Sequence, residues 1–122
     1  MFQIQKNAIF ANIDGLSMQK TNKIIALIKE RIHESLPEAK ILLFGSHARQ
    51  NASEESDYDI LLIINSELTP KEKIPIRTHI RKSLLSVGIR SDILIQSKSE
   101  VEIKKKLPGH IVRTILQEAI LL

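Results

Sequence analysis

The apolar residues of this chain follow a helical period in some stretches and form short continuous runs in others. In the stretch that begins at Ser17, apolar side chains recur every three or four residues and form one helical stripe. Ser17 or Thr21 is positioned to cap this helix, and Pro37 is positioned to end it. The stripe consists of Ile24, Ile25, Leu27, Ile28 and Ile32. The pattern therefore predicts an amphipathic helix here, whereas residues 1–15 show no clean period.

Three short apolar runs predict strands that are buried in a sheet. They lie at residues 39–45, 56–65 and 90–97. Between the second and third runs, Thr69 and Pro70 predict the start of another long helix, and Gly88 predicts its end. Polar residues between the first two runs predict a short helix followed by a loop.

The end of the chain predicts two helices that are separated by Pro108 and Gly109. The predicted order is therefore helix, strand, short helix, strand, helix, strand, helix, helix. Alternation of this kind favours the α/β class, with helices packed on a small central sheet. A length of 122 residues fits a single domain that covers residues 1–122.

Two carboxylates stand one residue apart at the mouth of the second predicted strand, Asp57 and Asp59. Side chains alternate along a strand, so these two point the same way, about 7 Å apart. Asp92 opens the third predicted strand and joins them if the two strands are neighbours. Three carboxylates are suited to two Mg²⁺ ions, which stabilise the attacking and leaving oxygens of a phosphoryl transfer.

Gly45 and Ser46 stand between the first strand and the short helix, where a chain can bind an anion. Glycine lets the backbone approach a ligand closely, and the N–H groups of the next turn point toward it. Arg49 is near enough in sequence to reach the same phosphates. Taken singly, a Gly-Ser junction is usually a plain turn, and Asp-x-Asp is often a strand entrance or a helix cap. Their conjunction in one small α/β unit favours a metal–phosphate site.

Composition and charge narrow the possible partners. The net charge of +4 suits phosphate-bearing or acidic partners, although a solvated basic surface accounts for it as well. Four aromatic residues are too few for base-stacking platforms, so direct nucleic-acid binding is not expected. The absence of cysteine, of a secretory signal and of a long apolar run predicts a cytoplasmic protein that does not enter a membrane.

The segment GSHARQNASEESDYD, residues 45–59, has Gly-Ser, ten intervening residues and then Asp-x-Asp. This resembles the signature of the DNA polymerase β-type nucleotidyltransferase superfamily, and the small size resembles its minimal nucleotidyltransferase branch. The resemblance runs from about Ile41 to Ile95. It implies a small mixed sheet with helices mainly on one face. Gln50 is a departure, because family members commonly have glycine there.

The resemblance also implies roles for individual residues. Gly45, Ser46 and Arg49 would hold the triphosphate of ATP, and Asp57, Asp59 and Asp92 would bind two Mg²⁺ ions. Asp92 would also assist deprotonation of the acceptor. His47 stands at a variable position and is interpreted as a solvated helix residue.

Members of the minimal branch are typically paired with a HEPN-type toxin, and act as antitoxins by transferring AMP to a toxin tyrosine. That pairing is the leading hypothesis for this chain. Two alternatives stay open: a non-catalytic antitoxin that acts by binding alone, and a small-molecule adenylyltransferase that works as a homodimer. The apolar end of the chain is a candidate partner interface, or else it packs on its own domain.

Overall fold

One mixed sheet forms the centre of the computed structural model, which describes residues 15–53 and 56–122. Within these ranges it has four strands, β1 Lys40–Phe44, β2 Tyr58–Ile64, β3 Ser91–Ser97 and β4 Ile120–Leu121. Their order across the sheet is β3-β2-β1-β4. β1 is antiparallel to β2 and to β4, whereas β2 and β3 are parallel. The parallel pair matters for the site, because it brings the starts of two strands side by side.

Helices cover both faces of this sheet unequally. They are α1 Gly15–Ser35, α2 Gly45–Ala48, α3 Pro70–Leu85, α4 Lys98–Lys104 and α5 Ile111–Glu118. The long helices α1 and α3 pack on one face, where Ile28 and Ile80 are fully buried. The short helices α4 and α5 pack on the other face through Val101 and Ile115. The predicted small mixed sheet with helices mainly on one face is confirmed.

Alternation along β2 decides which face carries the acidic residues. Ile60 and Leu62 belong to the core under α1 and α3, whereas Leu61 and Ile63 belong to the core under α4 and α5. Asp59 has the parity of Leu61, and its register partner Phe44 packs against that same second core. The side chain of Asp59 therefore emerges at the end of the face that α5 covers.

Several predicted boundaries are confirmed. Thr69 caps α3 with a capping box, in which its hydroxyl accepts from the N–H of Glu72 and the Glu72 carboxylate accepts from the N–H of Thr69. Pro70 is the first residue of that helix, and α3 ends three residues before Gly88, which has a φ of +81°. The last two helices are separated at Pro108 and Gly109 as predicted.

Two predictions about the ends of the chain were wrong. Ser17 and Thr21 do not cap α1, because the helix already includes Gly15. The final strand β4 was not predicted, because a two-residue strand leaves no period in the sequence. Ile120 is buried and pairs with Leu43, so the apolar end of the chain packs on its own domain. The stretch of residues 1–14, which showed no clean period, lies outside the described residues.

No helix in the described part of the chain is both long enough and apolar enough to cross a membrane.

Candidate active site

The pairing of β2 with β3 places two of the candidate carboxylates side by side. Asp59 and Asp92 are direct register partners in the parallel pair, so their side chains leave the sheet on the same face, about 4.8 Å apart between strands. Asp59 is half-buried and Asp92 is exposed. Two acidic residues that are 33 positions apart thus meet at the open end of the sheet.

Asp57 lies one residue before β2 and forms an ion pair with Arg90. Its Oδ1 lies 3.5 Å from Nε of Arg90, and both side chains are about half exposed. In the ranges 15–53 and 56–122, no three His, Asp or Glu side chains are grouped closely enough to hold one metal ion. The structure thus brings Asp59 and Asp92 together and pairs Asp57 with an arginine beside them.

The surroundings of Asp59 shift the pKa of its carboxyl group. Burial raises the pKa of Asp59, and the nearby carboxylates of Asp92 and Asp57 raise it further, although His47 and Arg49 act in the opposite direction. The two neighbouring carboxylates add negative potential at this partly buried group. A divalent cation would relieve it, and Mg²⁺ commonly binds through one or two carboxylates together with substrate phosphates. The donor set therefore fits Mg²⁺ through Asp59 and Asp92.

Gly45 lies directly against the carboxylate of Asp59. Its φ of +74° is in the left-handed region, which glycine adopts at low cost. A Cβ placed on Gly45 would lie 2.9 Å from Cγ of Asp59, closer than real atoms approach. Glycine is required at this position on both counts, and its backbone is therefore fixed next to Asp59.

The backbone and side-chain donors that were predicted to bind phosphate already hold an anion. The N–H of Gly45 donates to Oε1 of Glu118 at 3.4 Å, and Nη1 of Arg49 donates to the same oxygen at 3.3 Å. Ser46 is half-buried in the first turn of α2, beside these groups. Glu118 could not be identified from sequence spacing, because it belongs to α5 and is far away along the chain.

His47 is not the solvated residue that the sequence predicted. Its ring stacks on Tyr58 with centroids 3.7 Å apart and planes 9° from parallel. Its Nε2 lies 2.9 Å from the carbonyl oxygen of Ser56, to which it donates. His47 therefore fixes the backbone immediately before Asp57, a structural role that depends on a contact nine residues away.

Gln50 stands where the pattern described above commonly has glycine, and the loop keeps a backbone conformation that suits glycine. Its φ is +61°, a left-handed conformation that is uncommon for residues other than glycine. The chain thus adopts at Gln50 a conformation that glycine would take more easily.

Two solved structures and one family model are similar to this chain. A nucleotidyltransferase described from Sulfolobus solfataricus is similar with a TM-score of 0.50 and 19% identity, over 91% of this chain and 89% of that one. A protein described as a minimal nucleotidyltransferase has a TM-score of 0.48 and 23% identity, over 92% of this chain and 99% of that one. No curated protein matches the sequence significantly. The model of the nucleotidyltransferase domain matches residues 25–122, which include every candidate residue described above, and the chain therefore belongs to that family.

Proposed function

We propose that this protein is a Mg²⁺-dependent nucleotidyltransferase that transfers AMP from ATP to a hydroxyl group. Membership of the nucleotidyltransferase domain family supports nucleotidyl transfer in general. The observation that carries the more specific proposal is the register pairing of Asp59 with Asp92, together with the backbone of Gly45 packed against Asp59. This arrangement supports the proposal that the turn binds phosphate beside two carboxylates that would bind Mg²⁺.

The triphosphate would take the place that the Glu118 carboxylate holds. The N–H of Gly45 and the guanidinium of Arg49 bind Glu118, and phosphate oxygens are acceptors of the same kind with more negative charge. The Ser46 hydroxyl, in the same turn, would add a further donor. Binding of ATP would therefore require the Glu118 side chain to move aside.

Asp57, Asp59 and Asp92 would hold the two Mg²⁺ ions, and Asp57 would join the other two after leaving Arg90. The ions would neutralise negative charge on the phosphates during transfer. Asp92 is the more exposed carboxylate of the register pair. It is therefore the better placed to accept the proton of the acceptor hydroxyl. The new bond joins the acceptor oxygen to the α-phosphorus, and pyrophosphate leaves.

For the acceptor, we propose a tyrosine of a HEPN-type toxin, so that the protein acts as an antitoxin. This step depends on the resemblance to minimal nucleotidyltransferases. The non-catalytic antitoxin and the homodimeric small-molecule enzyme are the competing outcomes of the test. The close packing of Gly45 against Asp59 supports catalysis over simple binding, because a protein that only binds needs no such contact.

Label transfer tests the proposal. The protein is incubated with Mg²⁺, ATP labelled at the α-phosphate and a lysate of the source cells. We expect one labelled protein band that is lost with Asp57→Ala/Asp59→Ala and with EDTA. The matched control Glu30→Gln/Glu102→Gln removes two exposed carboxylates far from the site and should retain the band. Stable partner capture by all three proteins without any label would instead favour the non-catalytic antitoxin.

A further inference from the structure

A cleft opens beside Asp57, on the α3 side of the sheet. It has a volume of about 390 Å³ and lies between the last turns of α3 and the start of β3. Volumes of this size are typical of sites for small ligands or short peptide segments. The residues that give it its chemistry are Asp57, Arg81, Lys82, Leu85, Arg90 and Ser91.

Three cationic side chains line this cleft. Arg81 and Lys82 are consecutive, exposed residues near the end of α3. Arg90 faces them from the segment before β3 and pairs with Asp57. Cations therefore outnumber the one carboxylate, and the cleft favours an anionic occupant.

A buried hydroxyl in the same cleft also points to a ligand. Ser91 is only 7% exposed, yet its Oγ has no hydrogen-bond partner among the described residues. Buried polar atoms are nearly always paired, so one without a partner calls for an explanation. Ser91 has the parity of Ile93, which packs in the core under α3, and so its side chain is on the cleft side of β3.

The cleft is adjacent to the carboxylate pair. Ser91 directly precedes Asp92 and is the register partner of Tyr58, which directly precedes Asp59. An extended peptide advances about 3.3 Å per residue. Asp92 has the opposite parity to Ser91 and lies on the other face of the sheet, so a chain anchored in the cleft would reach it by passing around the start of β3.

We propose that this cleft is the acceptor subsite and that it binds an acidic peptide segment next to the hydroxyl that is modified. This inference rests on the proposed function. Carboxylates of the segment pair with Arg81 and Lys82, and one of its polar groups bonds to Ser91 Oγ. Leu85 is 58% exposed at the cleft, so an apolar side chain of the segment covers it. A peptide fits this mixture better than a free phosphate, because Asp57 in the wall repels a dianion more strongly than a carboxylate.

A binding experiment without ATP or Mg²⁺ tests the inference. The probe is a fluorescein-labelled random copolymer of glutamate and tyrosine, followed by fluorescence anisotropy with the full chain. We expect Arg81→Glu/Lys82→Glu to weaken binding by about tenfold or more, because it reverses two contacts in the cleft. The matched control Lys71→Glu/Lys106→Glu makes the same change in net charge at exposed positions outside the cleft. It should weaken binding by no more than about twofold.

Three outcomes would overturn the inference: no binding by the native chain, equal binding by the cleft variant, or equal losses in both variants. The milder variant Arg81→Gln/Lys82→Gln guards against misfolding and should also weaken binding. Failure of the proposed function is distinguishable. Copolymer binding that depends on the cleft, in a protein that transfers no label, would contradict the enzyme alone. Label transfer to a cellular protein without copolymer binding would contradict the subsite alone.

Discussion

Gly45 packs the turn that is proposed to bind phosphate against the Asp59 carboxylate. Alanine at this position adds a left-handed backbone penalty of about 1 kcal/mol and a contact with Asp59 that cannot be accommodated without movement. Gly45→Ala should therefore lower stability and abolish ATP binding. The measurements are chemical denaturation and titration with ATP in Mg²⁺.

Gly109→Ala is the matched control for this prediction. Gly109 has a φ of +77°, and a Cβ there would meet nothing within 4 Å. It should carry the backbone penalty of about 1 kcal/mol and leave ATP affinity unchanged. Equal ATP affinity in the Gly45 variant would contradict the proposed link between turn and carboxylate.

Asp59 should reduce stability in the absence of metal. Its pKa is raised by burial and by the carboxylates of Asp92 and Asp57, so the folded state holds the proton more tightly than the unfolded state. The group favours folding below the ordinary pKa of aspartate, and this contribution is lost as the pH rises through the raised value. Asp59→Asn should therefore raise Tm by about 2–4 °C at pH 7 in EDTA, with the gain shrinking in acid.

Thermal unfolding at a series of pH values checks this prediction. Glu30→Gln removes an exposed carboxylate from α1 and should shift Tm by less than about 1 °C. A fall in Tm for Asp59→Asn at neutral pH would show that the carboxylate contributes a stabilising contact instead.

At the scale of elements, one partly buried ion pair connects α3 to α4. Nζ of Lys73 lies 2.8 Å from Oε1 of Glu100, and the side chain of Lys73 is only 8% exposed. The same Glu100 carboxylate accepts from the N–H of Ser97 and completes the capping box of α4. Burial raises the pKa of Glu100, but the hydrogen bonds from Lys73 and Ser97 outweigh it and hold that pKa below its ordinary value.

Glu100→Gln should lower stability by about 2 kcal/mol at pH 7, because it leaves a buried ammonium without its counter-charge. A lowered pKa stabilises the fold above the ordinary pKa of glutamate, and this contribution is lost as the pH falls through the folded value. The difference from the native chain should therefore vanish in acid. Urea unfolding at pH 7 and at acid pH measures it. Glu102→Gln breaks an exposed pair with Lys105 and should have no measurable effect.

At the scale of the whole molecule, α5 reaches back to the turn after β1 through Glu118. Because Glu118 binds the N–H of Gly45 and the Arg49 guanidinium, it should compete with the triphosphate. Glu118→Gln removes the charge and keeps the shape. ATP affinity should rise by about threefold, as expected for an exposed ion pair.

Isothermal titration with ATP and Mg²⁺ checks this prediction, with Glu34→Gln as an exposed carboxylate outside the site. Lower affinity in the Glu118 variant would mean that Glu118 orients Arg49 for the nucleotide.

Much of this molecule could be predicted from local pattern. The apolar runs of β1, β2 and β3 and the cap at Thr69 are properties of neighbouring residues. Spacing also pointed to Asp59 and Asp92, because strand starts in an α/β unit tend to meet at one edge. Other features could not be predicted in this way. They are the contacts of Glu118, the pairing of Asp57 with Arg90, and the strand β4. Each depends on where distant segments meet in space, which sequence spacing does not record.

The close fit between Gly45 and Asp59 has a consequence for the interpretation of related sequences in other genomes. A related protein with alanine or serine at this position would have a side chain in the space that the Asp59 carboxylate occupies. Such a change would mark a degenerate copy even where all three aspartates survive. The residue at this one position would then distinguish active copies of the protein from inactive ones.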